Sequence, residues 1–520
     1  MLTLGEESKL RTSAHLAVVP RPSDYAIYHH IYGRMCLIDQ KTLELLQYFQ
    51  VARTPQEALT VHGDLKANQI SSFIDFFQSR GFLVASDVDE GDILTERRRN
   101  RATDLATGRQ IRIVQLVLAN RCNFRCKYCF EGLGATPLSE TIYANSTPQR
   151  LQVQGSPSNS FMNKEQAQSY LEQVIQMAKG AGNTALAVQF FGGEPLVNWK
   201  TIRHILDHFG RGERHGIDIS YSIITNGSLI TEEVARTFRE FDVPIVVSYD
   251  SPEGDARPLP SGKNSHEVIR RGLELLRSYG NRVVLNSVLA DATFDIFNRG
   301  LIDFAFTHGI YEIGVVLDLD ARFYENRPAS QIVDKLWDVC VYGWTKGVVV
   351  TGYWHQIFQG IAADDRYNQV GFQNCSAMGV QFSIEPGGDV FSCKASGGHF
   401  GNVLKIGELL QSETYKTYAM RACTSPAPCQ KCALQHFCGG MCLGPIENKY
   451  KHDIYAVEEA ACDVYREVTR RFILSAGDEE VATFYLARRR KARAVKETTA
   501  ADGKWSMALG SLVGSSTFTR

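Results

Sequence analysis

The sequence has little net charge and no long apolar run. Its 56 lysines and arginines nearly balance 57 aspartates and glutamates, for a formal net charge of −1, so we expect no strong attraction to nucleic acid or a membrane surface. No apolar stretch approaches the roughly 18 residues of a transmembrane helix, and no apolar segment with a cleavage site opens the chain. These absences predict a soluble, cytoplasmic protein, and 520 residues predict two to four domains.

Cysteine, by contrast, is abundant. The chain has 13 cysteines, and ten of them lie in two dense groups or at fixed offsets from those groups. A disulfide scaffold is usually a short, secreted chain, whereas such grouping in a reducing compartment predicts metal ligation.

The amino-terminal residues 14–86 predict a small winged-helix unit. Short strands at 16–19, 25–29 and 35–38 precede two helices with apolar spacing and a closing strand at 82–84. Thr54 and Pro55 have the order of a helix N-cap followed by proline. Residues 87–110 are charged, so we interpret them as a linker whose arginine run, Arg97 to Arg99, faces solvent.

The central residues 111–330 alternate β-rich and helical segments, which predicts an α/β fold with a partial, TIM-like (β/α)6 barrel of parallel strands. A polar insertion at 131–163 interrupts it and suggests a mobile loop near substrate. A bridging region (331–370), a cysteine-rich domain (371–466) and a C-terminal helix with a basic, partly disordered tail (467–520) follow. The strands are predicted at 111–118, 186–191, 220–225, 245–248, 283–289 and 313–317.

The first cysteine group, Cys122, Cys126 and Cys129, has the spacing C-x3-C-x2-C and follows the first predicted strand. Three thiolates on one loop can hold three irons of a [4Fe–4S] cube and leave the fourth iron open. A structural zinc site needs four protein ligands, and no further Cys or His follows until His204. The missing ligand therefore favours a cluster with one open iron.

This loop resembles the signature of the radical S-adenosylmethionine (radical SAM) superfamily. The resemblance implies that the open iron binds the amino and carboxylate groups of S-adenosylmethionine, and that the reduced cluster passes it one electron. A 5′-deoxyadenosyl radical results and takes a hydrogen atom from the substrate. Tyr128 occupies the family position that packs near adenine.

Gly192-Gly193-Glu194-Pro195 ends the second predicted strand and resembles the GGEP motif of the same superfamily. Glycines let backbone carbonyls approach the ligand's ammonium, and Glu194 can offer a negative charge. Taken alone, the tetrapeptide is an ordinary turn, and its position at a strand end is what makes it a candidate binding element.

Four more candidates end the next two strands, and they resemble residues that line the ribose and the methionine carboxylate in the family. Their alternative interpretation is a helix or turn cap. Relatives often place an arginine on the fifth strand to pair with the ligand's carboxylate, but Asn286 occupies that place here. The four candidates are Thr225, Asn226, Ser248 and Asp250.

The second cysteine group resembles the SPASM pattern C-x9–15-G-x4-C, C-x2-C-x5-C-x3-C, C, with Gly388 in register. By resemblance, the two sets hold two auxiliary [4Fe–4S] clusters, which makes three clusters in all. Two zinc sites are the alternative, since thiolate spacing alone does not separate zinc from iron. One set is Cys429, Cys432, Cys438 and Cys462, and the other is Cys375, Cys393 and Cys442.

The smaller set leaves its fourth ligand open. Cys423 and Cys340 are the unassigned cysteines nearby, and an open iron or a noncysteine ligand is also possible. Cys340 lies in an apolar helical stretch, so a core role is favoured for it, and also for Cys36 in the amino-terminal unit.

The amino-terminal unit resembles the recognition element of maturases of ribosomally made peptides, in which a leader peptide adds a strand to a sheet edge. DNA binding is the alternative, but residues 67–80 carry only Arg80 against Asp75, which disfavours it. We therefore predict an enzyme that abstracts hydrogen from a precursor peptide and forms a thioether, a carbon–carbon cross-link or a related oxidised product. Ferredoxin or flavodoxin is the expected reductant by resemblance.

Two other functions each account for part of the pattern. Anaerobic sulfatase maturases usually carry a carboxylate directly after the G-x4-C cysteine, where this chain has Lys394. Lys394 is also the candidate catalytic base, with His399 as a weaker one. A zinc-stabilised, non-catalytic winged-helix protein would leave the GGEP motif and the three-cysteine loop unexplained.

Overall fold

The computed structural model describes residues 8–63, 65–130, 161–362, 375–451 and 453–476. Most of the predicted insertion at 131–163 and the tail beyond 476 lie outside these ranges. Among the described residues, no helix is long and apolar enough to cross a membrane.

The amino-terminal unit contains the predicted strands and helices around its own apolar core. Its three-stranded antiparallel sheet has the order β2-β3-β4, and β1 pairs with β5. Thr54 and Glu57 form a reciprocal capping box at the start of the second helix. The elements are β1 (Leu10–Thr12), β2 (Leu16–Pro20), β3 (Tyr25–His29), β4 (Gly33–Ile38), α1 (Gln40–Tyr48), α2 (Pro55–Val61), α3 (Ala67–Ser79) and β5 (Leu83–Ala85).

The segment predicted as a linker contains a 16-residue helix, α4 (Asp92–Thr107). The helix was not predicted because it carries almost no apolar stripe. It is attached through Arg101, whose guanidinium donates to Met378 O (2.6 Å) and Ala419 O (3.1 Å). Arg98 and Arg99 are exposed, as predicted for the arginine run, whereas Arg97 is half-buried.

The centre of the molecule is a ten-stranded sheet in which the six predicted strands are parallel and lie side by side in chain order. Helices between these strands bury their apolar faces in one continuous core. The strands are β6 (Ile113–Ala119), β7 (Ala185–Gly192), β8 (Asp218–Thr225), β9 (Ile245–Ser248), β10 (Val283–Leu289) and β11 (Glu312–Leu317), and the helices are α5 (Lys164–Gly180), α6 (Trp199–Phe209), α7 (Glu232–Glu240), α8 (His266–Ser278) and α9 (Gly300–Thr307).

The carboxy-terminal part continues the same sheet. Strand β12 (Val349–Thr351) pairs with β11 at one edge, and β13 (Gln381–Ile384) pairs parallel with β6 at the other. The hairpin β14 (Asp389–Phe391) and β15 (His399–Asn402) follows β13. The second cysteine group is thereby joined to the strand that leads into the first.

The last described helix packs its apolar face on two helices of the bridging region. Phe472 lies against Trp337 and Phe358, with ring centroids 5.0 Å from each. These contacts make the bridging region part of the main core. The helices are α10 (Ala321–Glu325), α11 (Ala329–Lys346), α12 (Tyr353–Ala362), α13 (Ile406–Gln411), α14 (Glu413–Met420), α15 (Leu443–Lys449) and α16 (Glu459–Ser475).

Candidate active site and cluster sites

The three-cysteine loop begins three residues after β6, at the edge where all the parallel strands end. Burial raises the pKa of Cys126 to about 12, and the nearby Cys129 and Cys122 add to this increase. The structure therefore brings the three predicted thiols together in a half-buried place. Thiolates are the metal-binding forms of these side chains, and the nearby Arg257 guanidinium opposes the effect of burial on the pKa of Cys126.

Hydrogen bonds of Asn123 and Asn226 connect this loop to the end of β8. Asn226 Nδ2 donates to Asn123 Oδ1 (2.8 Å) and lies 4.0 Å from Cys122 Sγ, and Asn123 Nδ2 donates to Ser228 Oγ (2.9 Å). Asn226, a predicted cofactor-binding residue, thus orients the cysteine loop.

The two glycines of the GGEP motif allow two backbones to cross closely. Gly192 has φ +141°, and a Cβ at this position would lie 2.4 Å from Ala119 O. Gly193 N donates to Ala119 O (2.8 Å), and Glu194 N donates to Arg121 O (3.0 Å). The motif therefore sets the path of the chain into the cysteine loop.

Glu194 joins the ends of β7 and β8 from a buried position. Its carboxylate accepts hydrogen bonds from Thr225 Oγ1 (2.7 Å), Asn226 N (2.7 Å) and Leu196 N (3.0 Å). Burial raises the pKa of Glu194 to about 7, although these three donors oppose the increase. A carboxylate accepts about four hydrogen bonds, so three of them are made within the protein.

Arg257 contacts both Tyr128 and Asp250. The sequence predicted Tyr128 and Asp250 as site residues but did not predict Arg257. Asp250 Oδ2 accepts hydrogen bonds from the Tyr128 hydroxyl and from Arg257 Nε (2.9 Å). The Arg257 guanidinium lies 5.1 Å from the Tyr128 ring centroid, and its Nη1 lies 3.9 Å from Cys126 Sγ. Arg257 follows Asp250 by seven residues in a loop, and no sequence periodicity connects them.

The position where relatives often carry an arginine lies beside this group. Asn286 on β10 is in register with Ser248 on β9, and both border the site. Within the described ranges, Asn286 Oδ1 is buried without a hydrogen-bond partner, which leaves a polar atom available to a ligand.

The second cysteine group separates into the two predicted sets. The larger set lines one cavity together with Gly439 and Gly440. In the smaller set, burial raises the pKa of Cys442, and Cys393 and Cys375 are near enough to raise it further. The cavity's cysteines are Cys429, Cys432, Cys438 and Cys462.

The remaining cysteines differ in their neighbours. Burial raises the pKa of Cys423, and the nearby Cys438, Cys429 and Cys375 raise it further, so Cys423 lies between the two sets. Cys340 is buried and burial alone raises its pKa, while Cys36 packs against the amino-terminal core. Cys423 is therefore the unassigned cysteine whose place suits a ligand.

The three cysteine sets have the donors that iron–sulfur clusters need. A [4Fe–4S] cube holds each thiolate on a different iron, and three or four thiols lie near one another in each set.

Comparison with known proteins agrees with these observations. The family description "Radical SAM superfamily" matches residues 116–292, and the SPASM iron–sulfur cluster-binding domain matches residues 375–433. Over 451 residues the chain is 37% identical to the radical SAM cyclopropyl synthase TigE of Paramaledivibacter caminithermalis, which covers 87% of this chain and 93% of that protein. The chain belongs to the radical SAM superfamily.

More distant relatives agree on the fold. A serine-type anaerobic sulfatase-maturating enzyme of Bacteroides thetaiotaomicron is 25% identical over 366 residues, 62% of this chain and 80% of that protein. The solved structure of anSMEcpe with bound AdoMet and the Cp18Cys peptide has a TM-score of 0.53 at 18% identity, over 70% of this chain and 96% of that one. The prediction of a radical SAM/SPASM enzyme of the peptide-modifying class is confirmed, and with it the use of iron–sulfur clusters and S-adenosylmethionine.

In this radical SAM enzyme, Lys394 lies where β6 meets β13. Its Nζ donates to Asn120 Oδ1 (2.8 Å) and lies 3.5 Å from Glu385 Oε1, and Asn120 Nδ2 donates to Glu385 Oε2 (2.9 Å). Lys394 and Glu385 are both buried. Glu385, which sequence reasoning missed, thus places a carboxylate against the residue that follows the G-x4-C cysteine. His399 instead bonds Asp389 (3.0 Å) across the β14–β15 hairpin.

Proposed function

We propose that this radical SAM enzyme modifies a ribosomally made precursor peptide by closing a carbon–carbon bond within a side chain, with the loss of two hydrogens. The observation that carries the proposal is the 37% identity to a cyclopropyl synthase across 93% of that protein. An oxidative ring closure also agrees with the carbon–carbon products expected from the sequence.

We propose three [4Fe–4S] clusters, one on each cysteine set, with Cys423 as a ligand of the smaller auxiliary set. When bound, these groups supply reductive cleavage of S-adenosylmethionine, abstraction of a hydrogen atom and acceptance of a second electron. The chain's own residues hold the cofactor, with Tyr128 beside the adenine. The other proposed contacts are Gly192, Gly193, Glu194, Thr225, Asn226, Ser248 and Asp250.

The second hydrogen leaves as an electron and a proton, so the ring closure needs a proton acceptor. We assign this role to Glu385, with Lys394 and Asn120 as the residues that position its carboxylate. This assignment replaces Lys394 itself as the candidate base, because the Lys394 Nζ already donates to Asn120.

We infer that residues 14–86 bind the leader of the precursor as a winged-helix recognition element. The outer strands of its sheet, β2 and β4, have one partner each among the described strands, and a peptide can add a strand at such an edge. Residues 111–330 form the catalytic barrel and residues 371–466 hold the auxiliary clusters. Ferredoxin or flavodoxin is the proposed electron donor.

The test is anaerobic co-expression with a small peptide encoded beside the gene, followed by mass spectrometry. We expect a product lighter by two hydrogens that does not react with a hydrazide and that keeps the thiol content of the precursor. A hydrazide-reactive product would indicate formylglycine instead, and loss of a free cysteine thiol would indicate a thioether.

Cys126→Ala is the matched negative variant. We expect it to abolish 5′-deoxyadenosine formation under dithionite, since it removes one of only three ligands on the loop. Continued 5′-deoxyadenosine formation in this variant would contradict the assignment of the primary cluster.

A further inference from the structure

Arg421 lies between the two auxiliary cysteine sets and is completely enclosed, with 1% of its surface exposed. Its Nε donates to Ile454 O (2.6 Å), its Nη2 donates to Gly439 O (2.9 Å), and its Nη1 lies 3.6 Å from Met378 Sδ. Gly439 follows Cys438 of the larger set, and Met378 lies three residues after Cys375 of the smaller one. The guanidinium therefore touches the backbone or side chains of both cluster loops.

No carboxylate among the described residues pairs with this guanidinium. Its partners, two backbone carbonyls and the Met378 thioether, are all uncharged. Arginine stays protonated in proteins, and burying a charge without a counter-charge is very costly. By contrast, the buried Arg257 is paired with Asp250. Arg421 thus requires a nearby negative charge. Since no carboxylate among the described residues supplies it, cysteine thiolates are the remaining source.

Thiolates are the negative groups within its reach. Arg421 precedes Cys423 by two residues, and its side chain reaches Gly439, next to Cys438 of the larger set, and Met378, three residues after Cys375 of the smaller set. A cube held by four thiolates carries net negative charge and gains one more when it is reduced. Net charge and nearby donors are among the factors that set the reduction potential of such a cluster.

We propose that Arg421 is a shared counter-charge for both auxiliary clusters and raises the reduction potential of each without ligating either. It is a positioning residue that favours the reduced forms, and so favours acceptance of the second electron of the reaction. The inference rests on the auxiliary clusters proposed above.

The test is a redox titration followed by electron paramagnetic resonance, in a Cys122→Ala/Cys126→Ala/Cys129→Ala background that leaves only auxiliary signals. We expect Arg421→Gln to shift both midpoints to more negative values by at least about 59 mV, a tenfold change in the ratio of reduced to oxidised cluster for one electron. Arg421→Lys keeps the positive charge, so we expect both midpoint potentials to stay close to those of the enzyme with Arg421.

Two matched arginine variants serve as controls. Arg466 lies in the cavity of the larger set beside Cys432, so Arg466→Gln should shift that cluster alone. Arg270, which pairs with Glu267 and Glu274 on the barrel helix α8, should shift neither when changed to Gln.

Every result decides the proposal. Unchanged midpoints in Arg421→Gln would overturn it, as would loss of both clusters in Arg421→Lys, which would indicate a purely geometric role. If Arg421→Gln loses its clusters while Arg421→Lys keeps them near the original midpoints, the charge is required. Iron and sulfide content of the unaltered enzyme tests the cluster assignments separately.

Discussion

Glu385 is the residue on which the proposed proton transfer depends. Glu385→Gln removes the carboxylate but keeps the shape of the side chain, so we expect the yield of modified peptide per 5′-deoxyadenosine to fall by about 10²–10⁴-fold, as for loss of a general base. The measurement is quantification of both products by mass spectrometry in single-turnover reactions.

Stability must be separated from chemistry in that experiment. Glu385→Gln removes the carboxylate that lies 3.5 Å from the buried Lys394 ammonium, and breaking a buried ion pair costs about 3–5 kcal/mol. Adding Lys394→Met should recover thermal stability but not turnover. Asp389→Asn, in the same domain but beside His399 on the hairpin, is the matched control. A normal product ratio in Glu385→Gln would contradict its role as proton acceptor.

At the residue scale, the cysteine groups could be predicted because ligands on one loop must be close in sequence. A different argument, that site residues follow the ends of parallel strands, gave Glu194 and Asp250 as candidates. It could not find Arg257, Glu385 or Arg421, because their partners are distant in sequence or belong to other elements. Such residues become visible only when the packing of loops against strands is known.

At the scale of secondary-structure elements, the backbones of β6 and β7 lie very close together where the two strands end. Gly192→Ala places a Cβ 2.4 Å from Ala119 O at φ +141°, so the crossing must open or the backbone must strain, at a cost of about 1–3 kcal/mol. We expect a lower melting temperature and a lower iron content, because the displaced residues lead directly into Cys122.

Gly180→Ala is the control for this prediction. A Cβ at Gly180, at the end of α5, meets no atom within 4 Å, and alanine is the better helix former. We expect its melting temperature and iron content to match those of the unaltered enzyme. Equal behaviour of the two variants would show that the close crossing is not needed for assembly of the cluster loop.

The sequence was most informative about elements whose apolar pattern is periodic. The six barrel strands were predicted to within two residues at each end, since buried parallel strands are continuous apolar runs. Helix α4 was missed because Arg101, a polar residue, provides its main attachment. The pairing of β13 with β6 was missed because long-range register leaves no local pattern.

At the scale of the whole molecule, the amino-terminal unit packs against the barrel and the cysteine-rich domain. The Tyr28 hydroxyl donates to Ala433 O (2.6 Å), directly after Cys432, and Ala26 and Tyr28 belong to the barrel's core cluster. Deleting residues 1–88 would therefore expose that core. Point substitutions on the unit's surface are the better test of leader binding.

The outer edge of β4 is where we expect the leader to add its strand. Among the described strands β4 pairs with β3 alone, and it carries an exposed apolar side chain, Leu37, at 39% exposure. A strand added along β4 would cover Leu37 while its backbone completes the sheet.

Leu37→Lys should therefore weaken the binding of a labelled leader peptide by about tenfold or more, because burial of a leucine contributes about 1.5–3 kcal/mol and tenfold corresponds to about 1.4 kcal/mol. Val18, 42% exposed on the opposite outer strand β2, provides the control, and Val18→Lys should bind normally in the same fluorescence anisotropy titration. The reverse result would place the leader on β2. Normal binding by both variants would remove the leader-binding role from this sheet, because an added strand must cover the side chains of one edge or the other.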